Sequence, residues 1–342
     1  MDRFAVRAAL LALLLAAPAL ARPPHAGAAA PARTAASIVG GTAAGEPGSL
    51  AYVTSQATAT TASACSGTVV APGLVLTAAH CLVDEQSGAP RPAEGVTVLT
   101  GSADRSAPGG ETLSARRLLV HPAYERRSLT ADLALIVLAN ATGAPPLALA
   151  GPGDDALAAG GARATIAGWG VASGADTVAP PQLLRAATTI LSDDACRLRL
   201  GAGFDAAGTL CAADEAARTA ATCRGDSGGP LLVAGRDGAP VEVGIVSWGS
   251  QACDPRIPQG FTRVSAYADW IAAQIAATPA PPPLPPPSAA PPPARSRARR
   301  RASRSRRAAR SRPGRSHAAR SRRAAHRRPG RAHGGRRRTA RA

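Results

Sequence analysis

The amino-acid sequence predicts an all-β fold, either a barrel or a sandwich. Short apolar runs recur along the central region, and Gly, Pro, Asp and Ser punctuate the gaps between them. Many short strands at such spacing are typical of these folds and do not favour a parallel α/β sheet. The central region runs from residue 38 to residue 278, which is long enough for a sizeable core in one or two lobes.

Seven segments of the central region carry the strand signal. They are Thr68–Val70, Leu74–Thr77, Val96–Leu99, Leu133–Leu138, Ala164–Ala167, Pro230–Val233 and Val243–Val246. One helix is predicted near residue 278, because apolar residues between Tyr267 and Ile275 recur at helical spacing just before a run of prolines. We expect this C-terminal helix to pack on the body of the protein.

The first 37 residues do not have the strand pattern. Residues 1–21 indicate a secretory signal, with a basic start, an apolar run at Ala8–Ala17 and small residues at 19–21 for cleavage. The apolar run is too short for a membrane anchor, which takes about 20 residues. We therefore expect a secreted, extracellular protein, and we interpret the Ala/Pro-rich residues 22–37 as a propeptide.

The C-terminal part differs again in composition. Residues 279–294 are dominated by proline and predict an extended, semi-rigid linker. Residues 295–342 contain 21 arginines and no acidic residue, whereas residues 38–278 carry 15 arginines against 21 acidic residues, a net charge of −6. The arginine-rich tail is predicted to be disordered. It is either a ligand for an anionic polymer or surface or simply a solvated tail, and without aromatic residues it lacks base-stacking groups.

Six cysteines are expected to form three disulfides, since an exported chain meets an oxidising compartment. Spacing by itself leaves their pairing open. There is no Cys-x-x-Cys pair, so a zinc site is not predicted, and neither is any other metal or cofactor. The absence of lysine and the abundance of Ala, Arg, Gly and Pro suggest a GC-rich bacterial genome.

Four short segments together carry the chemistry. They are Ile38-Val-Gly-Gly41, Thr77-Ala-Ala-His80-Cys81, Asp132-Leu-Ala-Leu135 and Gly225-Asp-Ser227-Gly-Gly-Pro230. With Gly168-Trp169-Gly170 and Ser247-Trp248-Gly249, they make the chain resemble the chymotrypsin/trypsin-like serine proteases from Ile38 to near Ala277. The resemblance implies two antiparallel β-barrels of the chymotrypsin-like type, followed by the C-terminal helix, with the active site between the barrels. It also implies the disulfides Cys65–Cys81, Cys196–Cys211 and Cys223–Cys253.

The residue types agree with a serine-type endopeptidase that works through an acyl-enzyme. A serine hydroxyl is a weak nucleophile and needs a neighbouring base. The central region offers two histidines: His80 is the candidate base, and His121, in Val-His-Pro, is expected to be structural. Asp132 leads an apolar strand, where a buried carboxylate can hold the imidazole in the right tautomer. We therefore predict the catalytic triad Ser227, His80 and Asp132.

Three other functions share some of these sequence features: an α/β-hydrolase, a non-enzymatic binding module and an esterase. Gly225–Gly229 also fits the Gly-x-Ser-x-Gly pattern of α/β-hydrolases, but that fold needs a histidine after the acid, and all histidines after Ser227 lie in the tail. A protease-like binding module usually lacks a triad residue, and here all three are present. An esterase shares the acyl-transfer chemistry and differs in substrate. A monomer acting on polypeptides is expected.

The resemblance also assigns roles beyond the triad. The backbone N–H groups of Gly225 and Ser227 would form the oxyanion hole. Asp226 would pair with a new amino terminus at Ile38, so that the chain is a zymogen activated by cleavage. The residue before that bond is Ser37, where many relatives have Arg or Lys. The calcium loop of some relatives is not supported, since Leu99–Gly110 has a single acid before Glu111.

The specificity pocket also departs from the trypsin pattern. Ala221 stands six residues before Ser227, where trypsin-like members carry an aspartate for Arg or Lys. The resemblance places Thr222, Gly249 and Gln259 at the pocket walls and Arg224 near its mouth. We predict a preference for small or medium uncharged residues, with acidic ones possible, and no strict Arg/Lys specificity. In the alternative alignment, Asp254 or Asp214 reaches the pocket.

Overall fold

The structure is a computed structural model, and it describes residues 38–56, 61–201 and 203–284. These residues form fourteen strands and two α-helices. The strands are β1 (Thr42–Ala43), β2 (Leu50–Gln56), β3 (Ala62–Ala71), β4 (Leu74–Thr77), β5 (Val96–Thr100), β6 (Glu111–Val120), β7 (Ala134–Leu138), β8 (Ala148–Leu149), β9 (Arg163–Gly168), β10 (Leu184–Ile190), β11 (Thr209–Ala213), β12 (Pro230–Ala234), β13 (Pro240–Trp248) and β14 (Gln259–Arg263). The helices are α1 (Asp193–Leu200) and α2 (Ala268–Ala277).

The N-terminal barrel is closed by six antiparallel strands in the order β2-β3-β4-β7-β6-β5. Its strands follow two burial patterns. In β5, Val96 and Val98 are fully buried while Thr97 is half-buried, as the two-residue period of a strand requires. Strands β4 and β7 are buried at every position, so their sequences are continuous apolar runs. These two strands pair through Leu74–Val137 to Thr77–Ala134 and form the centre of the core.

The C-terminal barrel is closed by β9, β10, β11, β14, β13 and β12, with β12 pairing back to β9. The two short strands extend it at its edges, where β1 pairs with β10 and β8 runs parallel to β13. The predicted all-β class is therefore confirmed as two antiparallel barrels, as the family resemblance implied, and the sandwich alternative is not observed.

The predicted elements are found in place. Six of the seven strand segments lie within β3, β4, β5, β9, β12 and β13, and the seventh, Leu133–Leu138, begins one residue before β7; the predicted helix is α2. The ring of His121 lies edge-on against Trp270 of α2 and against Tyr267, which directly precedes α2, at centroid distances of 4.8 and 5.0 Å. These contacts attach the C-terminal helix to the N-terminal barrel. His121 is thus a packing residue, and its partial burial lowers its pKa.

Three disulfides join Cys65 to Cys81, Cys196 to Cys211 and Cys223 to Cys253. Among the helices of the described residues, none is both long and apolar enough to cross a membrane. The predicted signal (1–21), the propeptide (22–37), the tail (295–342) and the linker beyond Leu284 lie outside the described residues.

Candidate active site

His80 and Asp132 are brought together by the paired strands β4 and β7. Beyond β4 the chain enters a short 3-10 turn, Ala79–Cys81, that presents His80, and Asp132 lies just before β7. The Nδ1 atom of His80 is 2.7 Å from Oδ2 of Asp132, and the backbone N–H of His80 donates to Oδ1 at 2.9 Å. Two contacts to one carboxylate fix both the position and the orientation of the imidazole.

Asp132 is fully buried and receives further hydrogen bonds from the other barrel. The hydroxyl of Ser247 on β13 donates to Oδ2 at 2.5 Å, and Thr262 on β14 donates to the backbone carbonyl of Asp132 at 2.9 Å. Leu129 and Ala131 have positive φ values of 55° and 50°, a strained conformation for residues with a Cβ. The surrounding structure therefore holds the residues just before Asp132 in a backbone conformation that they do not favour on their own.

The environment of His80 favours its protonated form. Burial alone lowers the pKa of this imidazole, but the charge of Asp132 and the hydrogen bond to it outweigh burial, so the pKa of His80 is raised above 6.5. Asp132 therefore stabilises the imidazolium that would form when His80 accepts a proton.

Ser227 lines the same cavity as His80, a space of about 310 Å³. Its carbonyl accepts a hydrogen bond of 2.8 Å from the N–H of Ser66 on β3, which ties the serine loop to the N-terminal barrel. No hydrogen bond joins the Ser227 hydroxyl to the His80 ring in this structure; in enzymes such contacts often shorten when substrate binds. Next in the chain, Gly228 has φ +79°, and a Cβ there would lie 2.1 Å from Oγ1 of Thr77. A side chain at this position would therefore push the serine loop off the barrel.

Two backbone donors near Ser227 are free. In the part of the chain that the structure describes, neither the N–H of Gly225 nor that of Ser227 donates to a protein acceptor. Gly225 has φ +99°, and a Cβ would lie 2.8 Å from Cα of Gly170. The turn therefore needs glycine there, and it leaves two N–H groups available to a developing oxyanion.

Asp226 is completely buried beside these donors. Its carboxylate accepts hydrogen bonds from the N–H groups of Gly170 and Cys223, both at 2.8 Å. Burial raises the pKa of Asp226 to about 7, and these two hydrogen bonds only partly offset it. Among the described residues no cationic side chain forms a salt bridge with this carboxylate. The arrangement is suited to a buried positive group.

Ile38 is fully buried, and the residue after it joins the site. Val39 forms two backbone hydrogen bonds with Ala221, of 3.1 and 3.3 Å. Ile38 itself has φ +41°, which is a genuine outlier for a β-branched residue.

The predicted pocket residues take two different places. Thr222, Gly249 and Arg224 line the cavity that contains His80 and Ser227. Ala221 and Gln259 are each 1% exposed and are not part of that lining. A Cβ on Gly249 would lie 3.4 Å from Cγ of Gln259, so the glutamine side chain lies behind this wall.

The alternative pocket acids lie elsewhere. Asp214 accepts backbone N–H groups of its own loop, including those of Ala217 and Thr219. Asp254 forms a salt bridge of 2.6 Å with Arg256. Neither acid lines the cavity, so the alternative alignment has no structural support.

The comparisons with known proteins agree with this geometry. The trypsin family model matches residues 38–271, more than half of the chain. The chain belongs to the trypsin family. It is a serine-type endopeptidase, a hydrolase that acts on polypeptides, and its fold and three disulfides accord with that family.

Relatives in this family come from animals and bacteria. Serine protease 56 of Homo sapiens is 36% identical over 221 residues, which cover 63% of this chain but 35% of the human protein. Trypsin of Saccharopolyspora erythraea is 34% identical over 213 residues, covering 62% of this chain and 87% of that protein. A trypsin-like protease of Streptomyces glaucescens is 35% identical over 214 residues, covering 62% and 75%. Each of these matches covers less than two thirds of this chain.

Several contacts of this trypsin-family site were not predicted from the sequence. Ser247 lies in the Ser247-Trp248-Gly249 motif, but its hydrogen bond to Asp132 joins residues 115 positions apart and has no local sequence signal. Leu129 lines the cavity beside His80 and precedes Asp132 without a distinctive pattern. Cys65, His80 and Cys81 are close enough together to suggest a metal site, but both sulfurs form a disulfide, which leaves the imidazole as the sole ligand of that group.

Proposed function

We propose that this endopeptidase uses His80 as general base, Asp132 as the residue that orients it, and Ser227 as nucleophile. The observation that carries the proposal is the 2.7 Å contact from His80 Nδ1 to the buried Asp132 carboxylate, beside a cavity that Ser227 also lines. Asp132 holds the tautomer in which Nε2 is free to accept the serine proton. The same imidazole then protonates the leaving amine.

The proposed oxyanion hole consists of the N–H groups of Gly225 and Ser227. Attack by the serine oxygen turns the substrate carbonyl into an oxyanion, and two fixed donors stabilise that charge without reorganising. Losing one such donor typically costs about 10²–10³ in rate. Water then hydrolyses the acyl-enzyme, with His80 again as base.

We further propose that the chain is a zymogen activated by cleavage between Ser37 and Ile38. A free amino group at Ile38 would be the positive partner that Asp226 lacks. Cleavage also removes the φ constraint on Ile38, because φ is defined through the preceding carbonyl carbon. Strain at Ile38 and burial of Asp226 therefore both favour the cleaved form.

The proposed specificity is for small or medium uncharged residues before the cut bond. Ala221 offers no charge to an arginine or lysine, and burying such a cation without a partner is costly. Gln259 lies behind Gly249, and we expect its side chain to limit the depth of the pocket. Arg224 donates to the carbonyls of Gly174, Asp176 and Gln251, which leaves its guanidinium less free to bind an acidic substrate residue. We therefore expect uncharged residues to be preferred over acidic ones before the cut bond.

The experiment compares two preparations that begin at Ile38, one with Ser227 and one with Ser227→Ala, on a diverse peptide library. We expect cleavage by the first preparation alone, after small uncharged residues. Cleavage strictly after arginine would contradict the specificity, and equal activity of both preparations would contradict the nucleophile. Absence of cleavage by either, with Ile38 verified as the terminus, would contradict the catalytic assignment.

Outside the catalytic domain, we propose secretion through the signal at residues 1–21 and attachment to an anionic polymer or surface through residues 295–342. The 21 arginines of the tail support a phosphate-directed and salt-dependent attraction. Retention on heparin resin is the test: it should fall steeply with salt and be lost on deletion of residues 295–342. Retention that survives this deletion would contradict the role of the tail. We expect a monomer in solution.

A further inference from the structure

The segment after α2 does not leave the catalytic domain directly. Residues Pro279–Leu284, here called the strap, lie along the N-terminal barrel. Pro281 is buried, Pro282 and Pro283 are exposed, and Leu284 is half-buried against the hydrophobic core. A polyproline II helix has three residues per turn, so Pro281 and Leu284 lie on the same face of such a segment. That face is the one turned to the barrel.

The barrel provides the hydrogen bonds that a proline segment needs. Proline has no N–H, so a run of prolines can only accept. The N–H of Ala141 donates to the carbonyl of Pro282 at 2.8 Å. The side-chain amide of Asn140 donates to the carbonyls of Pro282 and Pro283, at 3.5 and 3.3 Å. The donors therefore match the acceptors of the exposed prolines.

Gly73, in the turn between β3 and β4, provides the space for Pro281. A Cβ on Gly73 would lie 2.2 Å from Cδ and 2.6 Å from Cγ of Pro281. The φ of Gly73 is not positive, so its backbone does not require glycine. The absence of a side chain is needed for the proline ring alone.

We propose that Gly73, Asn140 and Ala141 form a docking site for a polyproline II segment of the pattern Pro-x-x-Leu, occupied by the strap of the same chain. Recognition of a Pro-rich segment exploits the preformed, low-entropy polyproline II helix; here Pro281 and Leu284 are the two anchors, and main-chain carbonyls are the acceptors. The proposal stands independently of the catalytic assignment.

The strap docks at a defined distance from the proposed catalytic groups. Gly73 precedes β4, and His80 follows the opposite end of that strand. Asn140 follows β7, and Asp132 precedes the opposite end of that one. At about 3.3 Å per residue, strands of four and five residues separate these ends by at least 13 Å. The strap thus lies at the end of these strands that is remote from His80 and Asp132.

The first experiment tests docking within the full chain, in a Ser227→Ala background that prevents self-digestion. We expect Gly73→Ala to lower the midpoint of thermal unfolding by about 2–4 °C. The matched control is Gly45→Ala, since a Cβ there meets nothing within 4 Å. In a Pro281→Gly background, Gly73→Ala should have no effect, because the clash is gone. An equal effect of Gly73→Ala in both backgrounds would overturn the proposal.

The second experiment releases the strap and adds its sequence in trans. The full chain with Pro281→Asp and Leu284→Asp should bind a fluorescent peptide of residues 279–287, measured by anisotropy. Binding should be at least tenfold weaker to the chain with an intact strap, whose site is occupied, and to the released chain that also carries Gly73→Ala. A peptide with Leu284→Asp is the control ligand. Absence of saturable binding to the released chain, or binding unaffected by Gly73→Ala, overturns the proposal.

Discussion

Glu242 on β13 is a buried carboxyl group outside the active site, and it makes stability depend on pH. It pairs through its backbone with Leu232 of β12 and Leu149 of β8. Its side chain is fully buried near Thr68 of the N-terminal barrel. Among the described residues, neither oxygen of this carboxylate has a partner with hydrogen-bond geometry, and the Thr68 hydroxyl has none either. Burial raises the pKa of Glu242 from 4.5 to about 8, and the nearby hydroxyl offsets little of this.

The sign of the effect follows from proton binding. Between pH 4.5 and about 8 the folded protein holds a proton on Glu242 that the unfolded chain has released. The favourable contribution of this group is therefore complete below pH 4.5 and is lost as the pH rises towards 8. Each pH unit in this window lowers the free energy of unfolding by about 1.4 kcal/mol. From pH 4.5 to pH 7 the loss is about 3 kcal/mol by the same arithmetic.

Replacing Glu242 by leucine tests this reasoning. We expect Glu242→Leu to raise the free energy of unfolding at pH 8 and to remove the part of the pH dependence that Glu242 causes, since no buried carboxyl remains to ionise. Urea unfolding at pH 5, 6, 7 and 8 in a Ser227→Ala background measures both. Asp226 also has a raised pKa, so the relevant quantity is the difference between variant and parent at each pH. A difference that stays constant from pH 5 to pH 8 would refute the reasoning, and Glu242→Gln should give the same flattening.

Three further predictions concern the active site. Asp132→Asn should lower kcat by about 10⁴-fold, the magnitude known for this change in a Ser-His-Asp triad, and should lower the pKa of His80; a pH–rate profile measures both, and an unchanged acid limb would contradict the role of Asp132. Ser247→Ala should lower kcat by on the order of tenfold, since one charge-assisted hydrogen bond is lost, whereas Ser114→Ala, at an exposed position of β6, should leave it unchanged; equal effects of the two would count against this contact. In the parent enzyme, kcat/KM should fall as the pH drops through the His80 pKa, above 6.5, because protonated imidazole cannot accept the serine proton; an acid limb well below pH 6.5 would argue against His80 as the base.

Local sequence patterns predicted the parts of the fold that local forces determine. The predicted strand Leu74–Thr77 has the bounds of β4, and α2 lies where apolar residues recur at helical spacing. Helix α1 was not predicted, because four of its eight residues are charged and Cys196 is its one buried residue. The Ser192 hydroxyl accepts from the N–H of Ala195 and caps this helix, a weak signal without an apolar stripe.

The site was predictable to the extent that short motifs carry it. The motifs around His80, Asp132 and Ser227 led to the same three residues that line or approach one cavity. Contacts between distant segments had no such signal. Examples are the position of Gln259 behind Gly249 and the contact of Pro281 with Gly73. Both depend on how segments distant in sequence pack together, which the spacing of residues along the chain does not encode.

The hydrogen bonds that cross between the barrels have an evolutionary consequence. Ser247 and Thr262 of the C-terminal barrel hold Asp132 of the N-terminal barrel, while Ser66 of the N-terminal barrel holds the loop of Ser227. Each barrel thus carries some of the proposed reactive groups together with supports for those of the other barrel. Chimeras that exchange one barrel with a relative should inherit activity when these crossing residues are exchanged as a set. Sequence change in one barrel is therefore constrained by the other barrel, although nearly two hundred residues of chain separate Ser66 from Thr262.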